Sequence, residues 1–182
     1  MGMFRKVHTA FWKDEKVSEN LSPQEKLFFI YLLTNPSTTQ CGIYKITKRQ
    51  IAFDIGYSLE EIENLIKVMQ QRYDLIKYNE TTCEIAIKNW GKYNFTRSGK
   101  PMIDCIISEL ETIKDKSLIA FVRENIRKEE IKEIYKYQGL ETSYKFSSQD
   151  KDKDKEKEKE KDKDNMPTKK QLEEINKMLR VI

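Results

Sequence analysis

The sequence predicts a mainly α-helical domain that contains a small antiparallel β-hairpin. Residues able to cap helix N-termini stand at Ser22, Thr47 and Ser58, each followed three positions later by Glu or Gln. Gly56 separates the second and third of these helices, and two strand-like runs joined by a polar turn follow between residues 75 and 87. The elements therefore follow the order of a winged helix-turn-helix, which is helix, strand, helix, turn, helix and hairpin. The hairpin is the wing.

The first helix is predicted to lie at the centre of this domain. It begins at Ser22, is apolar almost all round over residues 27–33, and ends at Asn35-Pro36. Residues 42–46 alternate as a short strand that can join the hairpin in one sheet. The helix that follows Ser58 has a single apolar face, formed by Ile62, Leu65, Ile66, Met69 and Tyr73.

The remainder of the chain divides by its patterning. Apolar residues recur every three or four positions over 101–137, which predicts one or two amphipathic helices packed on the winged helix or on a second copy. Residues 150–164 alternate acidic residues with Lys, so i,i+4 neighbours carry like charges and a disordered charged linker is favoured over a helix. The predicted segments are a winged-helix domain (1–98), a helical extension (99–146), the charged linker (147–166) and a short amphipathic C-terminal helix (167–182). The apolar stripe of that last helix, Leu172, Ile175 and Leu179, suits a protein partner.

Composition and motifs exclude several function classes. The cysteines Cys41, Cys83 and Cys105 form no paired motif and His8 is the only histidine, so neither a disulfide framework nor a metal site is expected. The sequence contains no Gly-rich phosphate loop and no nucleophile elbow, so we expect neither an enzyme nor a bound cofactor. Without a signal peptide or an apolar run long enough to cross a bilayer, the chain is expected to be cytoplasmic and not to enter a membrane.

Three segments carry a resemblance to a known family. Residues 32–46 read LLTNPSTTQCGIYKI, Phe11-Trp12 precedes them, and residues 89–95 read NWGKYNF directly after the hairpin. Together they resemble the N-terminal domain of DnaD-type primosomal proteins and phage replisome organizers, over roughly residues 8–95. The resemblance implies DNA replication initiation of bacterial or phage type, in which the winged helix self-associates and contacts DNA.

The resemblance ends before the C-terminal part of the chain. In the family a separate C-terminal domain binds DNA and helps to deliver the replicative helicase. Here the charged linker and the short helix at 167–182 stand where that domain is expected. A helicase loader or the replicative helicase is therefore a candidate partner, but helicase loading itself is not implied for this chain.

The predicted recognition helix, residues 59–73, is not basic on its outward face. Asn64 and Gln71 can read adenine edges and Lys67 can reach a phosphate, whereas Glu60 and Glu63 are repelled by DNA. An alternative use of the two glutamates is to meet a basic patch on another subunit, which would make this face an oligomerisation surface.

Positive charge is concentrated in the N-terminal part of the chain. Residues 1–100 contain 15 Lys or Arg against 11 Asp or Glu, so backbone contact with DNA is predicted there. Trp90, Tyr93 and Phe95 lie among the last of these cations, where they either stack on unpaired bases or seal the core. The predicted DNA-binding residues are Lys45, Lys48, Arg49, Asn64, Lys67, Gln71, Lys77, Lys88, Lys92 and Arg97.

Two other function classes remain compatible with a winged helix. The first is a sequence-specific transcriptional regulator, which the lack of a basic wing disfavours. The second is an oligomeric scaffold that recruits a helicase loader through its C-terminal helix without touching DNA.

Overall fold

The structure, a computed structural model, describes residues 5–95 and 99–147, with side chains in the second range up to residue 139. The described chain is mainly helical with a small three-stranded antiparallel sheet, which confirms this part of the predicted fold class. The helices are α1 (Pro23–Thr34), α2 (Lys48–Ile55), α3 (Leu59–Gln71), α4 (Trp90–Asn94), α5 (Lys100–Thr112), α6 (Ser117–Arg123) and α7 (Glu129–Ser147), and the strands are β1 (Ile43–Lys45), β2 (Ile76–Asn79) and β3 (Glu84–Ile87). A 3-10 turn (Thr9–Lys13) and a π-helical turn (Lys16–Asn20) precede α1.

Two of the predicted capping boxes are complete. At α1 the Glu25 N–H donates to the Ser22 hydroxyl at 3.3 Å, and the Ser22 N–H donates to the Glu25 carboxylate at 2.6 Å. Ser58 and Glu61 make the same reciprocal pair at α3, with distances of 3.2 and 2.7 Å. Each box satisfies backbone N–H groups that the helix itself leaves unpaired, and this fixes where α1 and α3 begin.

The cap of α2 differs from the prediction in one detail. Thr47 accepts from the Gln50 N–H at 3.2 Å, but the Gln50 amide does not return to Thr47. It donates instead to Asp54, one turn further along the helix, at 2.7 Å. Gly56 ends α2 with a φ of +74°, a left-handed conformation that glycine adopts without strain.

The first face of the sheet packs on α1–α3. The strand order is β1-β3-β2, and both pairs are antiparallel. Tyr44, Ile85 and Tyr78 are cross-strand partners and therefore point to the same side. The buried Tyr44 hydroxyl donates to the Leu32 carbonyl oxygen of α1 at 2.7 Å, which places α1 on that side.

The second face of the sheet is covered by the helices that follow residue 99. Ala86 of β3 pairs with Ile43 and Lys77, so these three residues share the second face. α6 packs on β3 and β1, and every residue of β3 is buried because both faces of this central strand are covered. The helical extension therefore packs back on the sheet of its own chain.

Two carboxylates and one phenol join the extension to the sheet. The buried Glu84 of β3 accepts from the backbone N–H groups of residues 114–115 at 2.8 and 2.9 Å. In the opposite direction, Glu109 of α5 accepts from the N–H groups of residues 40–41 at 3.0 and 2.7 Å. The fully buried Tyr135 of α7 donates to a carbonyl oxygen of the same 40–41 segment at 2.7 Å. The bonds to Glu84 and Glu109 give acceptors to loop N–H groups, and the Tyr135 bond gives a donor to a loop carbonyl oxygen.

The described residues up to Ser143 belong to one compact unit, and Tyr144 begins a second. Beyond the end of α7, the second unit lies outside the described residues, so the predicted charged linker and C-terminal helix stay predictions. No helix in the described ranges combines the length and the apolar character that a bilayer-spanning segment requires.

Candidate nucleic-acid interface

The helix pair α2–α3 presents the predicted recognition face to solvent. Ile62, Leu65, Ile66 and Met69 of α3 are buried against the core. The opposite face consists of exposed side chains, namely Glu60, Glu63, Asn64, Lys67 and Gln71. The helix carries Glu60 and Glu61 in its first turn, so the end that would approach a major groove first is acidic.

Lys48 is held in an ion-pair cluster. Its ammonium lies 2.7 Å from a carboxylate oxygen of Glu80, in the turn between β2 and β3, and 3.5 Å from one of Glu63 on α3. The Glu80 hydrogen bond raises the pKa of Lys48, and the ammonium also lies 5.8 Å from the centre of the Tyr78 ring. The Glu63–Lys48–Glu80 cluster joins α2, α3 and the hairpin turn, so the charge of Lys48 is already compensated within the domain.

Lys88 and Lys77 also have partners within the protein. Lys88 pairs with Asp74 and lies 3.6 Å from a Glu124 oxygen; the hydrogen bond to Asp74 raises its pKa. Lys77 points to the sheet face that α6 covers, and its ammonium donates to the Ser117 hydroxyl at 3.1 Å. Three of the predicted phosphate contacts, at Lys48, Lys77 and Lys88, therefore help to hold the fold together.

The rings of Trp90 and Phe95 belong to the core. Their side chains are 3% and 2% exposed, and the Trp90 indole N–H donates to the Gln40 carbonyl oxygen at 2.8 Å. Neither ring has a face open to a base, which corrects the stacking alternative for these two residues. Tyr93 is half-buried, and the ammonium of Lys92 lies 4.9 Å from its ring centre.

Three predicted cations remain exposed around the Glu63–Lys48–Glu80 cluster. Arg49 follows Lys48 on α2, Lys45 ends β1 just before α2, and Lys67 lies one turn beyond Glu63 on α3. None of these three takes part in an ion pair with the described part of the chain. Arg97, Leu172, Ile175 and Leu179 lie outside the described residues.

Each of α1, α2 and α3 also carries an exposed large apolar side chain that was not among the predicted site residues. Phe53 of α2 is 84% exposed, Leu27 of α1 is 49% exposed and Leu59 of α3 is 42% exposed. The Tyr31 hydroxyl of α1 donates to Asp54 of α2 at 2.5 Å and joins the two helices beside these side chains. The periodicity contained the signal for Phe53, because Ile51 and Ile55 occupy one face of α2 and leave position 53 on the other.

Comparisons of the chain with protein-family models, with curated proteins and with solved structures found no match. The described residues contain no group of three His, Cys, Asp or Glu side chains arranged to hold a metal ion.

Proposed function

We propose that this chain is a non-enzymatic replication-initiation protein of the DnaD type, whose N-terminal part is a winged helix that self-associates and binds DNA through its backbone. The observation that carries the proposal is the order α1–β1–α2–α3–β2–β3 together with the strand order β1-β3-β2. A two-helix unit with its turn at Gly56, backed by an antiparallel hairpin, fits the winged-helix arrangement. The role in replication rests on the family resemblance of residues 8–95.

Contact with DNA falls to the exposed cations around the Glu63–Lys48–Glu80 cluster. Lys45, Arg49 and Lys67 can approach phosphates, whereas the acidic first turn of α3 disfavours insertion into a major groove. The hairpin turn carries Glu80, which is already bound to Lys48. Binding of this kind is dominated by charge, depends strongly on salt and reads little sequence.

Replacement of two of these cations tests the DNA-binding surface. We expect Arg49→Ala/Lys67→Ala to make the negative slope of log K against log salt on duplex DNA shallower by about 1.8, since each phosphate contact contributes about 0.9 to its magnitude. The measurement is fluorescence anisotropy of labelled duplex, forked and single-stranded oligonucleotides over a salt series. Lys13→Ala/Arg127→Ala is the matched control, because it also removes one exposed Lys and one exposed Arg. Lys13 lies on the 3-10 turn before α1, and Arg127 follows Ile126, which packs near Gly91 beyond the base of the hairpin.

Two results would contradict this surface. One is an equal loss of affinity in the control variant, which would show that only total charge matters. The other is the absence of binding by the unmodified protein to all three oligonucleotides at low salt. The compensated charges of Lys48 and Lys88 would then favour the alternative function, a scaffold that recruits a helicase loader without touching DNA.

Self-association is proposed to use the exposed apolar surface of Leu27, Phe53 and Leu59. Glu63 is engaged by Lys48 within the domain, so Glu60 is the freer of the two glutamates first predicted to contact another subunit. Phe53 is the most exposed of the large apolar side chains in the described part of the chain, and covering it in an assembly would remove its apolar area from water.

Replacement of Phe53 tests this surface. We expect Phe53→Ser to weaken the self-association constant by about tenfold or more, because it removes burial of about one aromatic side chain per subunit. Sedimentation velocity over a range of protein concentrations gives the constant. Trp12→Ser is the control, since Trp12 is also exposed but lies on the 3-10 turn before α1. An unchanged constant for Phe53→Ser would remove this surface from the proposal.

A further inference from the structure

A cavity of about 800 Å³ lies between the N-terminal segment 5–17 and the base of the hairpin. It is at the opposite end of β2 and β3 from the turn that carries Glu80, and so is separate from the candidate DNA surface. A volume of this size is typical of ligand pockets and is large enough for several side chains. Its floor is apolar and includes Phe11, Val17, Phe29, Leu33, Leu75 and Trp90.

The rim of the cavity is basic. Arg5, Lys6 and Lys16 line it together with a single carboxylate, Asp14, so the charged lining side chains sum to +2. Lys6 and Lys16 are exposed and have no carboxylate partner in the described part of the chain. Two solvated ammonium groups beside an apolar floor favour a ligand that is both apolar and anionic.

Asp14 has a separate, structural use in the cavity wall. One of its carboxylate oxygens accepts from the Lys16 N–H at 3.0 Å, and the other accepts from the Tyr93 hydroxyl at 3.4 Å. Arg5 is likewise held in place, because its guanidinium donates to Thr38 Oγ1 at 2.8 Å and to Gln40 Oε1 at 3.2 Å. The N-terminal segment is thereby fixed against the domain at both ends of the cavity.

We propose that this cavity binds an acidic peptide of a partner protein, which inserts a large apolar side chain while its carboxylates meet Lys6 and Lys16. The inference goes beyond DNA binding and does not depend on it. A peptide anchor needs an apolar pocket and a complementary rim, and both are present here. The site would recruit a partner while the opposite end of the hairpin remains free for DNA.

The lining fits a peptide better than a base of single-stranded DNA. A nucleobase is recognised by a stacking surface and by free hydrogen-bonding groups. The Trp90 ring is buried, and Lys92 lies over the Tyr93 ring. Among the amides, Gln40 accepts from Arg5, and Asn94 donates to the Trp90 carbonyl oxygen at 3.1 Å. His8, Thr9 and Asn89 also line the cavity and can hydrogen-bond a base, so the preference for a peptide rests on the apolar floor and on the buried or covered aromatic rings.

Trp90 provides a spectroscopic probe of the site. The chain has two tryptophans, and Trp12→Phe leaves Trp90, which lines the cavity, as the only one. The probe ligand is a ten-residue peptide of aspartate and glutamate that ends in leucine and phenylalanine. In the full-length Trp12→Phe protein we expect this peptide to change Trp90 emission in a saturable way, and a peptide with alanine in the last two positions to leave it unchanged.

Charge reversal on the rim gives the second arm of the test. We expect Lys6→Glu/Lys16→Glu to weaken binding of the labelled peptide about tenfold or more. The control Lys67→Glu/Lys114→Glu, which reverses two exposed lysines outside the cavity lining, should weaken it by less than about twofold. Circular dichroism checks that both variants are folded.

The proposal is overturned by any of three results. These are no change in Trp90 emission up to millimolar peptide, an equal loss in the two charge-reversal variants, and saturable binding of a ten-residue oligothymidine that the peptide does not displace. DNA binding by the Arg49 and Lys67 surface is measured separately, so its failure would leave this test intact.

Discussion

Gly42→Ala is expected to lower the free energy of unfolding by about 3 to 5 kcal/mol, because the added Cβ meets both backbone strain and a buried indole ring. Gly42 precedes β1 and has a φ of +74°, where an L residue is strained by about 1–2 kcal/mol. A Cβ at this position would lie 2.3 Å from Cγ of Trp90. Trp90 is itself buried and hydrogen-bonded to Gln40, so it has little freedom to move.

Gly56→Ala is a matched control for this prediction. Gly56 has the same φ of +74°, but a Cβ there would meet nothing within 4 Å. We therefore expect Gly56→Ala to cost only the backbone strain, about 1–2 kcal/mol. Urea unfolding of both variants, followed by far-ultraviolet circular dichroism, separates the steric part from the strain. Equal midpoints in the two variants would show that the contact between Gly42 and Trp90 is unimportant.

The elements of the α1–β3 region were predictable because their signals are local. A capping residue and its partner stand three positions apart, as at Ser22 and Ser58, and the turn at Gly56 needs one residue with a positive φ. The buried stripe of α3 follows from helical periodicity alone. Such patterns require no knowledge of which elements meet in space.

The use of the cations was not predictable in this way. Lys48 is compensated by Glu80 and Glu63, and Lys88 by Asp74 and Glu124, residues that the fold brings together from separate elements. A sequence shows which lysines exist but not which carboxylates face them. Charge counting therefore overestimated the number of cations open to a phosphate. Only the three-dimensional arrangement distinguishes the exposed Arg49, Lys45 and Lys67 from the compensated Lys48 and Lys88.

The place of Trp90 depends on the same long-range information. The run that contains Trp90 and Phe95 was compatible with stacking or with the core, because basic residues flank both rings. The close approach to Gly42 and the contact between Phe95 and Tyr135 of α7, with ring centres 6.1 Å apart, decide for the core. The cavity escaped prediction for a related reason, since its walls come from the N-terminal segment, α1, the hairpin and α4.

Glu84→Ala is expected to lower the free energy of unfolding by about 3 to 5 kcal/mol. Glu84 is 4% exposed, and its carboxylate accepts from the N–H groups of residues 114–115 and from the Thr82 hydroxyl at 2.9 Å. Alanine removes three charge-assisted hydrogen bonds and leaves two loop N–H groups without their acceptor. The loss falls on the junction between the sheet and the α5–α6 loop.

The part of the chain that loses stability distinguishes a local anchor at Glu84 from a general effect of removing a carboxylate. Hydrogen exchange in the Glu84→Ala protein should accelerate first at the amides of residues 114–115, which lose their acceptor. It should then accelerate along α6, because α6 packs on the second face of the sheet. Glu111→Ala, which removes an exposed glutamate from α5, should change the unfolding free energy by less than about 0.5 kcal/mol. If the two variants unfold at the same urea concentration, Glu84 is not the anchor of the extension. If only Glu84→Ala is destabilised and the amides of α2 and α3 exchange as before, the extension can loosen while the helix pair α2–α3 stays folded.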